Sequence, residues 1–152
     1  MSLFIGLGTN LGDKAQNLII ARHKIEKHFK FLGESQIYTS QAIDYLDQPD
    51  FYNQVMEFEL PKISPVEVME ILLKIELDMG RQRDIAKGPR VIDLDLLFFG
   101  KESINTRTVT VPHPRLFERS FVVLPLRELP GYQLIKNNFN FPQSFSNQAS
   151  PL

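Results

Sequence analysis

The run Val91-Ile92-Asp93-Leu94-Asp95-Leu96-Leu97-Phe98-Phe99 constrains this chain more than any other stretch. It lies between Gly88 and Gly100 and is apolar except for its two aspartates. Such a run reads as a buried strand. Strict alternation puts Val91, Asp93, Asp95, Leu97 and Phe99 on one face, and Ile92, Leu94, Leu96 and Phe98 on the other. The two carboxylates then stand about 6.6 Å apart, at ~3.3 Å rise per residue. On an apolar strand they repel each other and lose hydration, so something positive has to accompany them. A hard divalent cation suits the pair, because Mg²⁺ takes one or two carboxylates and completes its shell with water and phosphate oxygens. Neighbouring arginines would serve as well, and spacing alone leaves both readings open.

The segments around this strand define a repeating order. Residues 3–7 form a short apolar strand that runs into Gly6, Gly8 and Gly12. Their spacing departs from the dinucleotide fingerprint, because Leu11 stands where its third glycine belongs, so a plain strand-to-helix turn is expected. Asn10 or Asp13 can cap the helix that follows. Leu18, Ala21, Ile25 and Phe29 give that helix one core stripe, leaving His23 and His28 in its polar portions. Residues 34–38 read as a weak strand and residues 51–60 as a long one. Asn53 stands between apolar neighbours, a pattern that on its own favours an edge residue. Ser64-Pro65-Val66-Glu67 is a helix start with a capping box, Val68, Leu72, Ile75 and Met79 form the stripe, and Gly80 the stop. Glu76 falls off that stripe, which predicts exposure to solvent.

Strand, helix, strand, strand, helix and strand, in that order, predict an α+β ferredoxin-like βαββαβ domain. Its antiparallel sheet carries both helices on one face and leaves the other open to a ligand. Residues 102–106 and 108–111 add a hairpin, and residues 121–126 pack on the domain. Residues 132–152, rich in Asn, Gln, Ser, Pro and Phe without a period, read as an irregular tail to a single domain at residues 1–131.

With 152 residues, a formal net charge of -1 and no dense basic block, the chain lacks the electrostatic footprint of a nucleic-acid or membrane-surface binder. It has no cysteine, which excludes disulfides and thiolate metal sites. No apolar run reaches the length of a membrane span, so the expectation is a cytoplasmic monomer acting on small molecules. The strongest chemical signal is local. Arg81, Arg83, Lys87 and Arg90 lie within ten residues just ahead of Asp93 and Asp95. Arginine forks beside an acidic pair make the two halves of a polyphosphate site.

Five motifs carry a resemblance: Gly6-Leu7-Gly8-Thr9-Asn10-Leu11-Gly12-Asp13, Asp47-Gln48-Pro49-Asp50-Phe51-Tyr52-Asn53, Ile75-Glu76-Leu77-Asp78-Met79-Gly80-Arg81, Gly88-Pro89-Arg90-Val91-Ile92-Asp93-Leu94-Asp95 and Val111-Pro112-His113-Pro114-Arg115. In this order and spacing the chain resembles the 6-hydroxymethyl-7,8-dihydropterin pyrophosphokinases over residues 3–129. The resemblance implies transfer of pyrophosphate from ATP to the pterin hydroxymethyl group, with AMP released, in folate biosynthesis. It implies a catalytic set of Arg81, Arg90, Asp93 and Asp95, with Asp93 and Asp95 holding two Mg²⁺ ions. Glu76, Arg83, Leu96, Thr110, His113 and Arg119 would contact ATP. Ser40, Ile43, Phe51, Asn53, Asp93 and Phe121 would form the pterin pocket, with Asn53 reading the ring's edge and Phe121 stacking on its face. Lys87 stands where the family often carries tryptophan. A paralogue of the same fold that holds a pterin or nucleotide with weak turnover is the alternative.

Overall fold

Asp13 and Ser64 start the two long helices by accepting backbone N–H groups, from Gln16 at 3.1 Å and from Glu67 at 3.2 Å. The Glu67 carboxylate returns the second bond, accepting the Ser64 N–H at 3.3 Å, so the expected capping box is formed. Gly80 ends the second helix at φ +88°, a conformation that side chains disfavour. The computed structural model describes residues 1–42, 47–80 and 90–152. In chain order it contains β1 (Ser2–Thr9), α1 (Lys14–Glu26), β2 (Phe31–Glu34), β3 (Tyr38–Ser40), β4 (Phe51–Glu59), α2 (Pro65–Asp78) and β5 (Asp93–Phe99). A small hairpin of β6 (Ile104–Asn105) and β7 (Thr110–Val111) follows. Then come a 3-10 turn at Leu116–Glu118, α3 (Ser120–Leu126), α4 (Tyr132–Asn138) and β8 (Ala149–Pro151).

The sheet has six strands in the order β5-β1-β4-β3-β8, with β2 also on β4, and every pairing is antiparallel. With β1 and β4 central and β5 outside β1, this is the strand arrangement expected of the ferredoxin-like fold. Leu18, Ala21 and Ile25 of α1 and Val68, Leu72 and Ile75 of α2 bury their stripes against Leu3, Ile5, Leu7, Met56, Phe58, Leu94 and Leu96. The opposite face is less open than expected. Val122, Val123 and Leu126 of α3 and Tyr132 and Ile135 of α4 cover Phe4, Val55, Leu97 and Phe98 there. Among the described residues, the end of that face toward Gly8 lines an accessible pocket.

Three local readings are corrected by tertiary contacts. Residues 34–38 do not form one strand: Ser35 breaks the ladder by using its hydroxyl to accept the Val55 N–H at 3.0 Å, with β2 ending before it and β3 starting after it. The strict alternation of residues 91–99 holds to Leu97 and fails beyond it. Ile5 pairs with Leu96 but Phe4 pairs with Phe98, so Leu97 is an extra residue in a bulge. Phe98 therefore joins the α3 side and Phe99 the α1–α2 side. The tail is not irregular throughout, since residues 132–138 form α4 and residues 149–151 form β8. Its aromatic residues anchor it: Phe139 lies 5.3 Å from Phe98, and Phe141 lies 5.1 Å from Phe117 and 5.3 Å from Tyr132. Such contacts need no sequence period.

Candidate active site

Two rows of residues cross the sheet at its open end. One is Asp93–Gly8–Asn53 and the next is Asp95–Gly6–Val55, each running β5, β1, β4. Gly8 contributes no side chain, so the middle strand forms a bare floor between Asp93 and Asn53, while at Gly6 the Leu97 side chain lies 3.4 Å from where a Cβ would stand. A methyl group at Gly8 would reach Asn53 Oδ1 at 3.6 Å and Phe51 Cδ1 at 3.7 Å, which is ordinary contact distance. Gly6 and Gly8 thus belong to β1 itself and not to the turn after it. Period-two reading of Phe4, Gly6 and Gly8 carried that signal, because one face of the strand loses its side chains toward its end.

Phe51, Asn53, Arg90, Asp93, Asp95, Arg119 and Phe121 all line one pocket over this floor. Asn53 is buried and is no edge residue: its Nδ2 donates to Ser40 Oγ at 2.7 Å, which places Ser40 behind the pocket wall. Arg90 is held by its backbone. Its N–H donates to Asn10 Oδ1 at 2.9 Å, while the Asn10 N–H donates to the Arg90 carbonyl at 3.2 Å. Asn10 therefore clamps Arg90, leaving Asp13 as the cap of α1. From this anchor the Arg90 guanidinium reaches Asp93 at 3.4 Å and lies 5.7 Å from the Phe51 ring. The Arg119 guanidinium lies 5.8 Å from the Phe121 ring.

His113 stands beside the acidic pair, with Nε2 3.8 Å from Asp95 Oδ1. Burial, then the Arg119 charge, push its pKa down to about 4, with Asp93 opposing and Arg115 adding to the shift. His113 is therefore neutral at physiological pH, and its contact with Asp95 is not an ion pair there. The Arg115 N–H donates to Nδ1 at 3.3 Å, which leaves the ring proton on Nε2, facing Asp95.

Other expected positions lie apart from the pocket. Glu76 is 2% exposed, contrary to the helix pattern, and its Oε2 accepts the Leu94 N–H at 2.7 Å. It faces the start of β5 from α2, on the far side of the sheet from the open floor. Leu96 buries its side chain in the core under the two long helices. Thr110 is in β7, where its hydroxyl donates to Asn105 Oδ1 at 3.3 Å. Ile43, Arg81, Arg83 and Lys87 lie outside the described residues.

Two aspartates on one face, with oxygen donors only, fit a hard cation such as Mg²⁺. Among the described residues no group of three His, Cys, Asp or Glu side chains forms a metal cage. A cation here would complete its shell with water and substrate oxygens, as Mg²⁺ commonly does. Among the described residues no helix is long and apolar enough to cross a membrane.

Comparison with known proteins finds similarity to one family over most of the chain. The family model described as 7,8-dihydro-6-hydroxymethylpterin-pyrophosphokinase (HPPK) matches residues 4–131. The 2-amino-4-hydroxy-6-hydroxymethyldihydropteridine pyrophosphokinase of Bacillus subtilis is 38% identical over 128 residues, covering 83% of this chain and 76% of its own length. That of Aquifex aeolicus is 34% identical, covering 84% and 79%. The folic acid synthesis protein fol1 of Pneumocystis carinii is 40% identical over 131 residues, but the chain spans only 18% of its length. Among solved structures, Plasmodium falciparum HPPK-DHPS wild type with STZ-DHP superposes with a TM-score of 0.65 at 15% identity, over 92% of this chain and 39% of that one.

Proposed function

The chain belongs to the 7,8-dihydro-6-hydroxymethylpterin-pyrophosphokinase family, and on that premise we propose that it transfers the β,γ-pyrophosphoryl group of ATP to the hydroxymethyl oxygen of 6-hydroxymethyl-7,8-dihydropterin, in folate biosynthesis. The observation that carries this reading is the single pocket in which an acidic pair and two arginines meet two phenylalanines and a buried amide. In this reading the acceptor ring lies over the Gly8 floor, between Phe51 and Phe121, with Asn53 at its hydrogen-bonding edge. An aromatic pair suits a flat heterocycle, and a buried amide discriminates its donors and acceptors. The ring's hydroxymethyl oxygen then points toward Asp93.

The hydroxymethyl oxygen attacks the β-phosphorus, the bond between that phosphorus and the α,β-bridging oxygen breaks, and AMP leaves with the bonding electrons. Asp93 accepts the hydroxyl proton. Phosphoryl transfer of this kind depends on alignment and charge neutralisation more than on covalent help. Arg90, locked by Asn10, presents its guanidinium to the transferred phosphates, and Arg119 approaches the nucleotide from the α3 side. Neutral His113 donates through Nε2. Arg81 and Arg83 are expected to add to this set, Ile43 to the acceptor pocket, and Glu76, Leu96 and Thr110 to the nucleotide side. Asp93 and Asp95 would hold two Mg²⁺ ions, which supply positive charge to the phosphate oxygens when bound. A cytoplasmic monomer with small-molecule substrates completes the proposal.

Incubation with ATP, Mg²⁺ and the hydroxymethyl-dihydropterin tests it through the identity of the nucleotide product. AMP formed only in the presence of the pterin is the expected result. Absence of turnover would leave the weak-turnover paralogue, and pyrophosphate release with AMP joined to an acceptor would mean nucleotidyl transfer; either outcome refutes the proposal.

A further inference from the structure

The first turn of α3 holds the aromatic wall of the pocket, yet it has no cap of its own. Arg119, at the N-cap position, makes no capping hydrogen bond with its side chain. The missing partner comes from the tail. Asn147 Oδ1 accepts both the Ser120 N–H at 2.8 Å and the Ser120 hydroxyl at 2.6 Å, while Asn147 Nδ2 donates to the Glu118 carbonyl at 2.8 Å. One amide thus brackets Arg119 on both sides and precedes Phe121 by a single residue's backbone. Its orientation is settled by the partners, since an N–H needs the oxygen and a carbonyl needs the nitrogen. Ser120 itself is only 1% exposed, so its two bonds to Asn147 are partly buried, whereas the bond to the Glu118 carbonyl is exposed.

The same strap reaches the opposite wall. Two residues after Asn147 the chain enters β8, where Ala149 pairs with Ser40 and Ser150 with Thr39. The Leu152 N–H adds a bond to the Ile37 carbonyl at 2.8 Å. Ser40 is the residue whose hydroxyl accepts the Asn53 amide. Six tail residues, 147–152, therefore tie the α3 wall carrying Phe121 to the β3–β4 wall carrying Asn53. None of them falls within residues 4–131, the span that the family model matches.

We propose that Asn147 is a positioning residue for the acceptor pocket, acting through Ser120 to set where the Phe121 ring stands relative to Asn53. The inference rests on the pterin reading of that pocket. A stacking ring on two rotatable bonds follows its backbone, whereas the long Arg119 side chain can re-reach its target after a small shift. Loosening α3 therefore weakens acceptor binding more than ATP binding.

The test uses the full chain. Asn147→Ala is expected to raise the KM for the hydroxymethyl-dihydropterin about tenfold, as loss of the two partly buried bonds to Ser120 would. The KM for ATP rises less and kcat is retained. Asn147→Asp keeps an oxygen that caps Ser120 but turns the other toward the Glu118 carbonyl, so it is expected to recover only part of the pterin KM. A tail that only stabilises the fold would lower the unfolding midpoint of Asn147→Ala and leave the pterin KM alone, which would overturn the proposal. Amide hydrogen exchange at Ser120 in the ligand-free proteins separates this inference from the activity itself. Faster exchange in Asn147→Ala is expected; unchanged exchange refutes the clamp even if the wild type turns over. Should the wild type fail to turn over, the activity reading falls and the exchange result alone decides the clamp. If Asn147→Ala does not fold, Asn147→Asp carries both measurements, and a wild-type exchange rate with a raised pterin KM in that variant would also refute it.

Discussion

Replacing Gly8 by alanine separates the two properties that the pocket floor combines. The added methyl would stand 3.6 Å from Asn53 Oδ1 and 3.7 Å from Phe51 Cδ1, so the folded protein accommodates it without a clash. Gly8 is not among the glycines with positive φ, so the backbone does not resist alanine either. Stability should hold or rise, by up to about 1 kcal/mol, because glycine within a strand is the less favourable residue. The acceptor meets the opposite situation. A methyl on the floor between Asp93 and Asn53 occupies the plane on which the ring lies, and overpacking of a fitted site costs about 1–3 kcal/mol. At 1.4 kcal/mol per factor of ten, the pterin KM should rise roughly fivefold to 140-fold. Steady-state kinetics with each substrate varied, together with a urea unfolding curve, measure both quantities. A pterin KM within about twofold of the wild type, well below the smallest cost of overpacking, would refute the bare-floor reasoning.

Asp95→Ala should abolish turnover while leaving the far-UV spectrum and unfolding midpoint near those of the wild type; near-normal activity would refute its role as a cation ligand. Glu76→Ala should destabilise by about 1–3 kcal/mol, because the buried Leu94 N–H loses its acceptor, and Glu76→Gln should recover much of that. An unchanged urea midpoint in Glu76→Ala would mean that the residue acts as the surface position its helix pattern suggests. Tyr38 has its pKa raised to about 12 by burial, with the Glu128 carboxylate that accepts its hydroxyl adding to the shift. A folded-state pKa above the unfolded one contributes stability that is full below about pH 10 and lost as pH rises through 12. Ultraviolet titration should therefore show a late tyrosine ionisation, and loss of that late step in Tyr38→Phe identifies it. A late step that persists in Tyr38→Phe would contradict the assignment.

Much of the site was legible because its chemistry is local. Asp93 and Asp95 share a face by strand period alone, and the basic residues ahead of them are adjacent in the chain. The resemblance also named Phe51, Asn53 and Phe121, and the first two meet the third, about 70 residues on, only in the pocket. Where local pattern misled, a partner from another element had overridden it. Glu76 sits off its helix stripe yet is buried, because β5 supplies a backbone N–H for it to accept. Asn53 looked like an edge residue because nothing nearby in sequence reveals that Ser40 waits for its amide. The tail showed no period because its phenylalanines bind an aromatic cluster one at a time.

By itself, then, the sequence determined the two capped helices, the apolar strands and the order in which they follow one another. It also determined the placing of two carboxylates on one strand face. These depend on periodicity, caps and i, i+2 geometry, all of which act over a few residues. Only the tertiary structure decided which strands adjoin β1 and that Gly8 becomes a floor between Asp93 and Asn53. It alone decided that Asn10 holds Arg90 and that Asn147 caps α3 from the tail. Those depend on long-range pairing and on which unsatisfied backbone group meets which amide, and no local pattern encodes such meetings.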